Sequence, residues 1–302
     1  MAKLLDGKVA IVSGAGRGLG REEALALARA GARVVVNDVG TSLAGDGQDR
    51  SPAEQTVADI VAAGGRAVTN GEDVADWAGA RRTVEQAWDT FGSLDILVNN
   101  AGVLRDRMSF NMSEDEFDVV MRVHAKGHFA LTSHACERWR TAAKSHADGR
   151  TWGRIVNTSS EAGLIGSPGN ANYAIAKAAI AALTISIGRE MQKYGVLSNF
   201  IAPRARTRMT ESMPDASMFA RPATGFDAFH PRWPAELATF LASDAVDFTG
   251  CGFIVWGGEV VVVRGWSMVS KLQKADAGFT AEELVARRDE LLGAHPRQPG
   301  YL

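Results

Sequence analysis

The run Lys8-Val-Ala-Ile-Val-Ser13, followed at once by Gly14-Ala-Gly16-Arg17-Gly18-Leu19-Gly20, constrains the fold more than any other stretch. Its first half is short, β-branched and apolar at successive positions, as expected of a strand buried on both faces of a parallel sheet. The glycines then permit a tight turn and close backbone approach, and Leu19 to Ala30 reads as a helix. Strand, glycine-rich turn and helix N-terminus together form a cradle for a pyrophosphate. The spacing runs through Gly14, Gly18 and Gly20, and no register yields the usual Gly-x-Gly-x-x-Gly.

The same alternation continues down the chain. Arg33 to Asp38 is a second buried strand, ending in an acid twenty residues after Gly18. A carboxylate there bonds ribose hydroxyls and repels a 2'-phosphate, so Asp38 argues for NAD, whereas Arg17 is a cation that keeps NADP open. A polar loop over 40–52 leads to a helix near 53–63, and Ala67 to Asn70 is a short third strand. Asp73 and Val74 precede a helix from Trp77 to Phe91; Asp73 stands where open α/β sheets bind ligands, or serves only as a turn or capping acid. Leu94 to Asn99 is a fourth strand that runs into Asn100, Ala101 and Gly102, and Arg154 to Thr158 a fifth that runs into Ser159 and Ser160. Between them, Ser113 with Glu116 makes a capping box opening a helix that carries Val119, Val123 and His124. Further strands are expected at Val196 to Ala202, Phe253 to Val255 and, shorter, Glu259 to Arg264, with a helix at Pro234 to Ala242. The fold class is α/β, a Rossmann-type doubly wound parallel sheet of about seven strands, with right-handed crossovers. The catalytic domain is expected over 1–265, and 266–302 is a C-terminal extension with one helix near Thr280 to Leu292.

After the fifth strand, a Gly/Pro/Asn-rich loop over Gly163 to Asn172 opens an Ala-rich helix to about Tyr194, which places Tyr173 and Lys177 at i and i+4 on one face. An ammonium near a phenol favours the phenolate, so Lys177 is expected to lower the pKa of Tyr173 and fit it for proton exchange with a substrate oxygen. In isolation such a pair equally describes two solvated side chains. The alanines of this helix suit close packing against a neighbouring helix or subunit. Residues 204–232 contain Met209, Met213, Met218, Phe219, Phe226 and Phe229, which suits either a lid over an apolar substrate or a loop docked on the core.

Composition excludes several classes. A net charge of -2 in 302 residues gives no basic excess for nucleic acid, and 46% apolar residues furnish an ordinary globular core. Cys136 and Cys251 are far apart in apolar surroundings, which suits two buried thiols in a reducing compartment, read as the cytoplasm. The N-terminus enters a strand without a signal-peptide core, and no apolar run approaches ~18 residues, so no membrane partner is expected. Metal-ligand spacings and internal repeats are not found.

In these marks the chain resembles a short-chain dehydrogenase/reductase over residues 5–265. The resemblance rests on Ser13-Gly14-x-x-x-Gly18-x-Gly20, Asp73-Val74, Asn99-Asn100-Ala101-Gly102, Ser160 and Tyr173-x-x-x-Lys177, with a thirteen-residue step from Ser160 to Tyr173. Within the family it is most similar to the hydroxyacyl-CoA dehydrogenase units of peroxisomal multifunctional enzyme type 2 and their bacterial relatives, through Val35-Val-Asn-Asp38, Leu104-Arg-Asp-Arg107, Val123-His124 and Arg206-Thr-Arg-Met-Thr210. The resemblance implies that Tyr173 is the acid/base, that Ser160 holds the substrate oxygen, and that Lys177 binds the nicotinamide ribose. Asn100 and Gly102 would line the cofactor cleft with Ala101, Asp73 and Val74 would meet the adenine, and Gly14, Arg17, Gly18 and Leu19 would hold the phosphates. Ser13 replaces the family's usual Thr, His124 stands where many members have a catalytic Asn and is either a relay or a structural residue, and Arg204 follows Pro203 where Gly is common.

An NAD-dependent oxidoreductase interconverting a secondary alcohol and a ketone, on a 3-hydroxyacyl-CoA or sterol-derived substrate, is the leading reading. The alternatives are an NADPH-dependent ketoreductase and a dinucleotide-binding regulator without turnover. A homo-oligomer, dimer or tetramer, is expected with either enzyme.

Overall fold

A computed structural model describes residues 3–212, 216–263, 270–275 and 278–292. The chain divides into two compact units, Met1–Val263 and Arg264–Leu302. In the first, β1 (Val9–Ser13), α1 (Gly18–Arg29), β2 (Arg33–Asn37), α2 (Ser51–Ala62), β3 (Arg66–Asn70), α3 (Trp77–Phe91) and β4 (Ile96–Asn99) alternate. There follow α4 (Glu114–Met121), α5 (Gly127–Ala143), β5 (Gly153–Thr158), α6 (Glu161–Ile165), α7 (Ala171–Met191), β6 (Val196–Pro203), α8 (Arg208–Glu211), α9 (Arg232–Leu241), β7 (Gly252–Trp256) and β8 (Glu259–Val263). The sheet order is β3-β2-β1-β4-β5-β6-β7-β8, parallel throughout except for β8.

β8 is the further short strand expected from Glu259, and it brings the sheet to eight strands where about seven were expected. Only Gly257 and Gly258 separate it from β7, and so short a link closes a hairpin, since a parallel return needs a crossover of about a dozen residues. It therefore pairs antiparallel at the sheet edge, with Val260 and Val262 exposed.

Each strand's alternation feeds two cores. Ala10, Val12, Val34, Val36, Val98, Val156 and Ile201 face α1 and α9, joined by Leu19, Ala24, Leu27 and Leu241. Val9, Ile11, Val35, Leu97 and Ile155 face the opposite way, onto Val84, Leu131, Trp139 and Ile187. Burying each such aliphatic side chain contributes roughly 1.5–3 kcal/mol, which outweighs the low intrinsic preference of glycine-flanked strands. Trp139 is wholly enclosed, its Nε1 donates to Leu94 O at 2.6 Å, and Gly153 makes room for its ring.

α4 opens on the expected capping box of Ser113 and Glu116. A π-helical turn over Arg122–Lys126 then joins it to α5, and this extra residue per turn directs His124 inward. The helix Ala171–Tyr194 is long and apolar enough to cross a membrane by length and composition alone, as a core helix can also be. It packs against β6, α6 and α4 as a core helix. Cys136 and Cys251 are free and half-buried, less enclosed than expected.

In the second unit the expected single helix is two, Ala281–Ala286 and Arg288–Leu292, separated at Arg287, whose φ of -106° and ψ of 19° leave the helical region. Met213, the strand end expected at Arg264 and parts of the extension lie outside the described residues.

The sheet order reverses between β1 and β4, so the crevice for a ligand is at their carboxyl ends. There a Cβ on Gly20 would lie 2.3 Å from Gly14 O and 2.4 Å from Asn100 Nδ2. Gly20→Ala is expected to destabilise the protein by about 1–3 kcal/mol, measured by chemical denaturation.

Candidate active site

The site is built from the strand ends inward. Ser13 ends β1, and its Oγ accepts from Asn100 N at 3.0 Å and Ala101 N at 3.2 Å. In return Asn100 Nδ2 donates to Ser13 O at 3.1 Å and Gly14 O at 3.2 Å. This exchange holds the glycine turn against the end of β4, and the hydroxyl of Ser13 suffices for it. Gly14 and Gly18 take φ of 64° and 55°, which favour glycine, and a Cβ at Gly14 would meet Ala101 Cα at 2.8 Å.

Asp38 follows β2. Its Oδ2 accepts from Gly16 N at 2.8 Å and its Oδ1 from Gly40 N at 2.7 Å, which fixes the carboxylate at the turn. Arg17 reaches out to Asp49 at 2.9 Å. Asp73 is a turn acid, its Oδ1 accepting from Ala75 N at 2.8 Å, and it also lines the cleft and pairs with Arg122 at 2.7 Å.

Ser160 follows β5 as the N-cap of α6, its Oγ accepting from Ala162 N at 3.2 Å. α6 lies directly on α7, because Gly163 has no side chain: a Cβ there would be 2.5 Å from Ala178 N and Lys177 C. That approach brings the Ser160 hydroxyl into a hydrogen bond with Tyr173. Asn172 fixes the start of α7, donating to Arg105 O and Glu116 O at 2.9 Å each and accepting from Tyr173 N at 2.8 Å. One turn on, Lys177 Nζ donates to Thr158 O at 2.6 Å and lies 5.4 Å from the centre of the Tyr173 ring.

His124 packs edge-on against Tyr173, with ring centres 5.3 Å apart. Its Nε2 is 2.9 Å from Val103 O, and its Nδ1 has no protein partner. Gly102 is required by this ring, since a Cβ would meet His124 Cε1 at 2.3 Å. Thus Gly14, Arg17, Gly18, Leu19, Asp38 and Asp73 line the same cleft of about 410 Å³ as Val74, Asn100, Ala101, Gly102, His124, Ser160, Tyr173 and Lys177.

The electrostatics differ from the expectation. Burial pushes the Tyr173 phenol up to about 12, although the Ser160 hydrogen bond pulls it down. Lys177 does not lower it, because burial pushes the lysine itself down to about 7 and it carries little charge where the phenol would ionise. Burial and the Lys177 charge hold His124 well below 6.5 and His128 down to about 3. Both rings are neutral at pH 7.

Several residues were not singled out from sequence. His128 stacks 6.4 Å from His124, four residues on, a helical repeat that marks one face. Glu23 is wholly buried on α1; a charge within the apolar stripe of Leu19, Ala24 and Leu27 was its signal. Arg204 turns out of the cleft to Glu161, with two bonds of 2.6 Å, and stacks 4.4 Å over Trp256. Pro203 and Ala205 line the cleft in its place. Beyond β6, Met209 lines the cleft, whereas Phe219 is buried against Phe229 at 5.1 Å, Phe226 stacks on Trp233, and Arg206 pairs with Asp227.

A doubly wound sheet with a glycine cradle, an acid after β2 and a Ser–Tyr–Lys group at one edge defines a dinucleotide-dependent oxidoreductase. A profile of the family described as short chain dehydrogenase matches residues 8–217. Hydroxyacyl-CoA dehydrogenase ChsB1 of Mycobacterium tuberculosis is 46% identical over 296 residues, 97% of this chain and 92% of that protein. Peroxisomal multifunctional enzyme type 2 of Mus musculus is 39% identical over 86% of this chain, which spans only 33% of that relative. The crystal structure of a short chain dehydrogenase from Mycobacterium avium matches with a TM-score of 0.84 and 45% identity over 99% of both chains. The chain belongs to the short-chain dehydrogenase family. It is an oxidoreductase that acts on CH–OH groups, interconverting a secondary alcohol and a ketone with a nicotinamide dinucleotide.

His128 supplies a pH test of this buried layer. Its folded pKa is depressed, so its contribution to stability is present above about 6.5 and lost as pH falls through about 3. In His128→Gln, the fall in unfolding free energy over that window should be shallower by about one proton, roughly 1.4 kcal/mol per pH unit, in denaturant titrations at stepped pH.

Proposed function

We propose that the protein is an NAD-dependent dehydrogenase of 3-hydroxyacyl-CoA thioesters, with a sterol-derived acyl group within its range. The observation that carries the proposal is the convergence of Ser160, Tyr173 and Lys177 at the one cleft that Asp38 closes at its far end. The names of the relatives support the substrate class: a hydroxyacyl-CoA dehydrogenase aligns over nearly the whole chain.

The cradle suits the dinucleotide. Gly14, Gly18 and Gly20 leave the phosphate region free of side chains, and the Asp38 carboxylate is held in place by two amides. When bound, the nicotinamide exchanges hydride with the carbinol carbon. The chain's own residues manage the oxygen. Ser160 and Tyr173 would hold it by hydrogen bonds; Tyr173, protonated at neutral pH, would donate its proton to a ketone, and in oxidation its phenolate would accept one from the alcohol. Lys177 would fix the nicotinamide ribose and, when charged, ease ionisation of Tyr173.

Preference for NAD rests on Asp38 and on the engagement of Arg17 by Asp49. A second reading, NADPH-dependent reduction, is favoured by Arg208, which lines the same cleft and feels the charges of Arg17 and Asp38. Exposed Phe129 and Ile175, on α5 and α7, support a homo-oligomer, and the two free thiols support the cytoplasm.

Initial rates with NAD and NADP on 3-hydroxyacyl-CoA and steroid alcohols test the proposal. NAD should be preferred, and a clear NADP preference would reverse the assignment. Tyr173→Phe should lose about 10²–10⁴-fold in kcat while the dissociation constant for NADH, read by fluorescence, stays within about twofold.

A further inference from the structure

Glu23 has no part in the chemistry described, yet it is the most costly side chain in the core. It is fully buried on α1, and neither carboxyl oxygen has a hydrogen-bond partner. A buried carboxyl without partners is destabilising, so its retention asks for a reason. Its position supplies one. Gly20, one turn earlier on the same face, touches Gly14 and Asn100, so this face of α1 rests on the floor of the cleft. Thr158, at the end of β5, is in phase with Val156, whose side chain belongs to the α1 core, and its Oγ1 is also buried without a partner. The carbonyl of the same Thr158 receives Lys177 Nζ from the other face at 2.6 Å. The end of β5 thus receives Lys177 on one side and faces the α1 core on the other, and buried Glu23 and Lys177 lie near enough to feel each other's charge.

We propose that Glu23 is a positioning residue that acts through Lys177, as the buried counter-charge that sets the lysine's protonation. The proposal rests on the assignment of Lys177 to the site. The two groups share one proton, COOH with NH2 or COO⁻ with NH3⁺, with the same net charge either way. Each acts on the other in the expected sense: Lys177 pulls down a Glu23 carboxyl that burial raises to about 8, and Glu23 pulls up a lysine that burial lowers to about 7.

The other groups around the pair are accounted for. His124 and His128 face Lys177 and are neutral, their own burial opposing charge. Arg154, on the Glu23 side of the sheet, is engaged by the carbonyls of Ser243 and Val246. On α1 itself, Arg21 pairs outward with Asp59 of α2, and Arg29 with Glu236 of α9. Asp38 is held by Gly16 and Gly40.

The test uses the full chain labelled with [ε-¹³C]lysine, with Lys177 assigned by its loss in Lys177→Met. In the dinucleotide-free protein the Lys177 titration midpoint should fall by about one pH unit or more in both Glu23→Gln and Glu23→Leu, and return part of the way in Glu23→Asp. An unchanged midpoint in the Gln and Leu variants overturns the proposal. Glu23→Leu guards against loss of folding, because removing an unpartnered buried carboxyl should raise the melting temperature. The raised folded pKa makes the Glu23 contribution to stability present below about 4.5 and lost as pH rises through about 8, so that gain should be larger at pH 9 than at pH 5. In kinetics, Glu23→Gln should shift the acidic limb of kcat/KM for alcohol oxidation to higher pH with NADH affinity unchanged. A purely structural Glu23 would leave that limb in place. Failure of the wild-type protein to oxidise any alcohol would refute the proposed substrate class, while the lysine titration would still decide the role of Glu23.

Discussion

The exchange of hydrogen bonds between Ser13 and Asn100 is the interaction on which the rest of the site depends. It joins β1 to β4 where the sheet order reverses, and it satisfies backbone groups that a strand end would otherwise leave exposed in a crevice. The glycine turn, the first turn of α1 and the loop after β4 then share one wall. Close backbone approach makes this possible: Gly14 lies on Ala101, Gly20 on Gly14, and Gly102 on the ring of His124. A methyl group at any of the three would meet an atom at less than a van der Waals separation. The cradle is thus defined as much by missing side chains as by those present.

Behind this wall lies a buried polar layer. Asn99 donates to Thr132 at 3.0 Å and to Asn157 at 2.9 Å, and Asn157 in turn donates to Thr184 at 2.9 Å. Farther along, Asn37 donates to Asn70 at 2.6 Å, which bonds Gln86. Hydrogen-bonded amides of this kind fix strand ends in a single arrangement, even with Asn99 Oδ1 left unpartnered, whereas ionisable groups placed among them suffer from the low dielectric. Tyr173, Lys177, His124, His128 and Glu23 are all shifted towards their neutral forms by burial, whichever sign of charge they carry. The cleft is therefore tuned by desolvation first and by pairwise charge second.

Much of this was legible in the residues. Short, continuous apolar and β-branched runs marked the strands, Ser113 with Glu116 marked the start of α4, and the placement of acids, amides and Ser160 after strand ends predicted their common edge. What escaped had weaker local signals. α6 hid in a Gly/Pro/Asn-rich loop, because its role is to lay Gly163 on α7, a long-range contact. The π-helical turn at His124 has no composition of its own. The lowering of Tyr173 by Lys177 was inferred from spacing on a helix, and spacing contains no information about burial.

The sequence by itself determined the alternation of strand and helix, the family marks and the chemical types at the cleft, since these follow from periodicity and from residues with restricted conformations such as glycine. Only the tertiary structure decided which way β8 runs, that Arg204 leaves the cleft for Glu161, and that Glu23 is buried where it feels the charge of Lys177. Those outcomes depend on packing between elements far apart in the chain, and on a loss of solvent that no local pattern encodes.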